Sequence, residues 1–84
     1  MNSKHSRTLA AIFADPAPAS IEWSAIEGLL LALGCTVVEG SGSRVRFVRG
    51  KAVATFHRPH PAKEAKRYQV RDAREFLIQI GVQP

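Results

Sequence analysis

The sequence predicts an α+β fold: N-terminal helices, a three-stranded antiparallel meander sheet, and a C-terminal helix packed on one face of that sheet. Three observations predict it. Apolar residues recur at helical spacing in the first 33 residues and again after Val70. Between these segments lie three short runs that alternate or are rich in β-branched residues. The runs are separated only by Gly40-Ser41-Gly42 and Arg49-Gly50-Lys51, and connections that short join antiparallel neighbours.

Segment 3–14 is expected to be a helix, with Leu9, Ile12 and Phe13 as its apolar face and Ser3 or Ser6 as its cap. Asp15-Pro16-Ala17-Pro18-Ala19 ends it, because proline lacks a backbone donor and disfavours helix in the residue before it. Segment 21–33 is the second helix. Trp23, Ile26, Leu30 and Leu33 fall on one face, Ser24 with Glu27 fits a capping box, and Ser20 is a rival cap. Gly34 stands where a left-handed residue closes a helix.

Strands are expected over 35–39, 43–49 and 52–56. In the second, Val45 and Phe47 face one side, while Arg44 and Arg46 face the other. His57-Arg58-Pro59-His60-Pro61 is expected to be an extended loop, since it holds two prolines. The last helix is placed between Glu64 and Ile80. Val70, Ala73, Phe76, Leu77 and Ile80 form its apolar side, and Gly81 stops it.

Length and composition bound the function. A chain of 84 residues, 45% hydrophobic, makes one small globular domain. Residues 1–84 are therefore read as a single domain, with an extra helix over 3–14, a proline-rich linker over 15–20 and a core over 21–83. No apolar run approaches the roughly 20 residues of a membrane span, and no apolar stretch follows Met1–Arg7 as in a secretory signal. The single Cys35 allows no internal disulfide. These features lead us to expect a cytoplasmic protein without membrane contact.

The net charge is +5, and it is unevenly distributed. Residues 8–43 hold Asp15, Glu22, Glu27 and Glu39 and no basic residue. Residues 44–84 hold ten Lys or Arg against Glu64, Asp72 and Glu75. A positive half attracts a polyanion and steers its approach. The expected RNA-binding set is Ser43, Arg44, Arg46, Arg49, Lys51, Arg58, Lys63, Lys66, Arg67 and Arg71, read as one continuous patch. A solvated basic face with no partner is the alternative.

Four stretches carry a resemblance to a known family. The helix ending Leu30-Leu31-Ala32-Leu33-Gly34 runs straight into a strand. Glu39-Gly40-Ser41-Gly42-Ser43-Arg44-Val45-Arg46-Phe47 sits where that family has a glycine-serine-histidine motif. Phe56-His57-Arg58-Pro59-His60 sits where its third strand ends in a proline and a histidine. Val70 to Val82 is similar to its closing helix. Over residues 21–83 the chain thus resembles the HicA family of toxin–antitoxin ribonucleases. The resemblance implies a fold like the double-stranded-RNA-binding domain, an mRNA-cleaving activity and a HicB-like antitoxin partner. The N-terminal helix and the basic stretch Lys63–Arg67 look like marks of a variant branch.

The resemblance also implies a metal-independent reaction in which the RNA's own 2′-hydroxyl is the nucleophile. A base must take its proton, an acid must serve the leaving oxygen, and positive charge must sit beside the phosphorane. Histidine suits the first two roles and arginine the third. Where the family has its catalytic histidine, this chain has Arg44, which can clamp a phosphate but cannot act as a base at neutral pH. The base is therefore expected to be His60, the first choice because it best matches the family's later histidine, or His57, with Ser43, Lys63 and Tyr68 assisting. A catalytically inactive RNA-binding module of the same fold is the main alternative. A DNA-binding or purely protein-interacting subunit is a third, although no helix-turn-helix is recognisable.

Other chemistries have less support. His57 and His60 lack a third and fourth ligand for a metal, so no metal or cofactor is expected. Cys35 opens an apolar strand with no base near it in sequence, and is expected in the core. Gly40-Ser41-Gly42-Ser43 lacks the lysine and the following helix of a P-loop, and reads as a hairpin turn. Trp23 and Phe47 are assigned to the core.

Overall fold

Alternation along the second strand sets the layers. In the computed structural model, which describes residues 1–84, β2 spans Arg44–Arg49 and lies between β1 (Thr36–Glu39) and β3 (Ala52–His57), antiparallel to both. Val45 and Phe47 are fully buried on one face, and Arg44 and Arg46 are exposed on the other. The register places Val38, Arg46 and Thr55 side by side across that open face, and Arg44 beside His57.

The helices cover the opposite face. They are α1 (Ser3–Phe13), α2 (Trp23–Ala32) and α3 (Arg67–Gln79). α3 packs on β3, and α1 packs on both α2 and α3. One cluster of 17 buried apolar residues joins all the layers. At its centre the Trp23 ring lies 5.0 Å from that of Phe56 and 6.3 Å from that of Phe47, both tilted, a favourable aromatic arrangement. The apolar stripe of α3 is buried at Val70, Ala73, Phe76 and Leu77. Ile80 is only half-buried, at the helix end. The α+β order expected from the sequence is the order found.

The boundaries differ in informative ways. The cap of α1 is Asn2, whose side chain accepts from the His5 amide at 2.8 Å, rather than Ser3 or Ser6. Neither Ser24 nor Ser20 caps α2. Its N-cap is Glu22, without a side-chain bond, because residues 21–23 are held extended by a bridge to residues 63–65. Trp23 N–H donates to Lys63 O at 2.9 Å, and Ala65 N–H donates to Ile21 O at 2.8 Å. The same bridge keeps Glu64 out of α3, which begins three residues later than expected. Gly34 has φ +87°, the left-handed closing conformation.

The N-terminal helix is tied down from a distance. Arg74 on α3 donates from Nε to Ile12 O at 2.9 Å and from a terminal nitrogen to Ala14 O at 3.2 Å. These are carbonyls that the end of α1 leaves without an intrahelical partner, and the guanidinium also complements the negative end of the helix dipole.

Candidate nucleic-acid interface

β3 runs one residue further than the sequence suggests, and that residue is His57. It pairs with Arg44 and so belongs to the open sheet face, not to the proline loop. Three contacts hold this strand end. Arg58 N–H donates to Ser43 O at 2.9 Å. The buried Gln69 side chain donates from Nε2 to the His57 carbonyl at 2.6 Å, and its Oε1 accepts from Lys66 N–H at 3.0 Å. The His57 ring itself is exposed, with Nδ1 3.5 Å from Ser43 Oγ, at the outer limit of a hydrogen bond.

Beside this pair is a shallow depression of about 310 Å³, lined by Val38, Glu39, Gly40, Arg44, Arg46 and Thr55. Gly40 packs closely here: a Cβ would lie 3.1 Å from Arg44 Cβ and 3.2 Å from its carbonyl oxygen, a tight fit. Arg44 and Arg46 form no ion pair within the chain. The site therefore offers two free guanidinium groups, an imidazole and the Ser43 hydroxyl on one solvent-facing surface. That set can hold phosphates and accept or donate a proton.

Arg58 is in a different situation. Its Nε and one terminal nitrogen donate to Glu27 at 3.0 Å each, and its two terminal nitrogens donate to Glu39 at 2.7 and 3.0 Å. Glu27 also accepts from Trp23 Nε1 at 2.8 Å. The guanidinium thus joins α2, β1 and the end of β3, and its charge is met by two carboxylates. The hydrogen bonds from Arg58 hold the Glu39 carboxyl below its ordinary range, and the two glutamates push the arginine's pKa up. No sequence pattern signalled this cluster, since Glu27, Glu39 and Arg58 are far apart in the chain.

The remaining expected residues fall into separate groups. Arg49 and Lys51 flank the Gly50 turn at the other end of the hairpin from Arg44 and His57. His60 and Lys63 are exposed in the segment before α3. Lys66 is the exposed N-cap of α3. Arg67 and Arg71 line a groove against the 15–19 segment, on the helical side. The basic residues thus stand on the open sheet face, at the hairpin turn and along the groove beside α3.

Cys35 is buried, and burial pushes its thiol pKa up, with Arg49 pulling weakly the other way. It is a core residue. No group of three or more His, Cys, Asp or Glu converges as a metal site would require. No helix is long and apolar enough to cross a membrane.

Fold and site together define a small basic α+β protein with a cationic open sheet face. The family model described as HicA toxin of bacterial toxin-antitoxin matches residues 23–82, the stretch from the start of α2 to just beyond α3. The chain belongs to that family of toxin–antitoxin toxins. No curated protein and no solved structure matches it.

Proposed function

We propose that this chain is an mRNA-cleaving toxin whose catalytic base is His57, working beside Arg44 and Arg46 on the open sheet face. The observation that carries the reading is the cross-strand pairing of Arg44 with His57. Arg44 stands where the resemblance places a histidine, and the only imidazole beside it in the sheet register belongs to His57. His60, the sequence-based first choice, lies outside the sheet with no side-chain partner.

In this reading the guanidinium groups hold the scissile phosphate and oppose the charge that builds on the phosphorane. The His57 imidazole takes the 2′-hydroxyl proton, with Ser43 Oγ near enough to Nδ1 to orient the ring. The 2′-oxygen attacks phosphorus, the bond to the 5′-oxygen breaks, and the leaving oxygen takes a proton from solvent or from His60. The products are a 2′,3′-cyclic phosphate and a 5′-hydroxyl, and no step calls on a metal. The neutralising partner is a HicB-like antitoxin that covers the same face, and the expected compartment is the cytoplasm.

The test is incubation of the native chain with an end-labelled mRNA in EDTA, beside His57→Ala and His60→Ala. We expect cleavage by the native chain and by His60→Ala. The His57→Ala variant should lose about 100-fold or more, the usual scale for removing a general base. Equal activity in His57→Ala removes His57 from the mechanism. Arginine at position 44 also favours a second reading, an RNA-binding module without catalysis. Salt-sensitive RNA binding with no cleavage by the native chain would select it.

A further inference from the structure

We propose that the groove between α3 and the proline-rich 15–19 segment is a second RNA subsite, separate from the sheet face. It would take one unpaired nucleotide, with its base against Tyr68 and its flanking phosphates on Arg67 and Arg71. The inference rests on the RNA-cleaving reading above and adds a place where the substrate is held away from the reacting bond.

The groove encloses about 330 Å³. Pro16, Ala17 and Pro18 form one wall, and the first turns of α3 form the other. Tyr68 lines it and is 47% exposed. Its ring takes no part in the Trp23, Phe47 and Phe56 cluster, so no core role explains it. Arg67 and Arg71 are one helical turn apart, and Tyr68 lies between them in sequence, three residues before Arg71. Arg67 and Tyr68 thus each neighbour Arg71 on the helix surface, and all three line the groove. Arg67 has no ionic partner, and Arg71 has only its exposed neighbour Asp72, at 3.8 Å.

The third lining arginine, Arg74, is occupied by the Ile12 and Ala14 carbonyls, and so it fixes the proline wall in place. Asp15 is the one carboxylate in the lining, against the unpaired Arg67 and the loosely paired Arg71. The two prolines bring no backbone N–H to the wall, leaving ring edges and carbonyl oxygens, which suit the face and the N–H edge of a base. An aromatic platform flanked by arginines is the arrangement that holds single-stranded nucleic acid without reading its sequence.

The subsite is also connected to the sheet face. Gln69, the residue after Tyr68, is the one that bonds the His57 carbonyl. That bond ties the start of α3, where Tyr68 stands, to the strand end that carries His57. The 15–19 wall lies outside the 23–82 stretch that the family model matches.

The experiment photocrosslinks a 4-thiouridine-substituted single-stranded RNA to the full native chain and maps the attached peptides. In parallel, binding of the same RNA is measured for Tyr68→Ala, Tyr68→Phe and the double variant Arg67→Ala/Arg71→Ala. We expect crosslinks at Tyr68 as well as on β2 and β3. Tyr68→Ala should weaken binding about five-fold or more, the lower range for base–aromatic stacking, and Tyr68→Phe should bind like the native chain. Crosslinks confined to the sheet face, with native binding by Tyr68→Ala, overturn the subsite and leave the sheet-face reading standing. Absence of RNA binding by the native chain overturns that reading and the subsite with it. Native RNA binding by Tyr68→Ala together with lost neutralisation by the antitoxin assigns the groove to protein, and overturns the proposal.

Discussion

Arg44 and His57 face each other across the β2–β3 register, on the one sheet face that no helix covers. Residues paired in this way have their side chains on the same side, only a few ångströms apart at Cβ. A fixed positive charge and a titratable imidazole are thereby presented together. Arg46 extends the charge along β2 toward Thr55, its partner on β3.

RNA binding on this face should be strongly salt-dependent. For a single strand, each phosphate neutralised contributes about −0.7 to the slope of log K against log salt. Arg44→Ala and Arg46→Ala should each flatten the slope by roughly that amount, whereas Arg58→Ala should leave it nearly unchanged, because its charge is already met by Glu27 and Glu39. Filter binding over a salt series checks this. A slope insensitive to Arg44 and Arg46 rejects the sheet face as the site of contact.

The Arg58 cluster should instead govern acid stability. Above about 4.5, the ordinary value, the Glu39 carboxyl is ionised in both the folded and the unfolded chain, and its contribution is fully present. Below that pH the unfolded chain takes up the proton first, since Arg58 holds the folded carboxyl lower. Stability therefore falls as pH drops through this range, and Glu39→Gln should show a shallower fall in a pH series of denaturant melts. At neutral pH, Arg58→Ala should cost about 1–2 kcal/mol, because the half-buried Glu27 loses its charged partner and solvent softens the loss. Arg58→Lys should not restore it, as an ammonium cannot bond two carboxylates in this forked arrangement.

Gln69 is nearly fully buried and satisfies two backbone groups, the His57 carbonyl and the Lys66 amide. Gln69→Leu fits the volume but leaves both groups without partners, at a cost of about 2 kcal/mol. Thermal melts would read that loss. If His57 is the base, cleavage should also fall beyond what stability explains, since the strand end that carries the imidazole is no longer anchored.

Arg74→Ala should loosen the N-terminal helix without unfolding the rest. The variant loses both hydrogen bonds to the end of α1, while the sheet and α2 keep their contacts. Hydrogen exchange should speed up in residues 3–14 and stay near native in β2 and β3. Uniform acceleration across the chain would mean that α1 is not a separable unit.

Much of the architecture was legible in the sequence because it rests on local periodicity. Alternation along 44–47 assigned Val45 and Phe47 to the core and Arg44 and Arg46 to solvent, and the structure agrees. The helical stripe from Val70 to Leu77 identified the buried side of α3. The motifs from Leu30 to Val82 also carried the family resemblance, and the family match spans the same stretch. The helix starts were less legible. The bridge between Glu22 and Glu64 joins segments about 40 residues apart, and it overrode the capping signals at Ser20 and Ser24.

The sequence by itself determined the element types, the faces of each element and the excess of positive charge in the second half. Only the tertiary structure decided which charges are free and which histidine accompanies them. The sequence favours His60 over His57, but cross-strand pairing places His57 beside Arg44. Arg58 reads as one more basic residue, yet two carboxylates from α2 and β1 converge on it. Periodicity is a property of neighbouring residues, whereas pairing and charge neutralisation arise when distant segments pack and leave water.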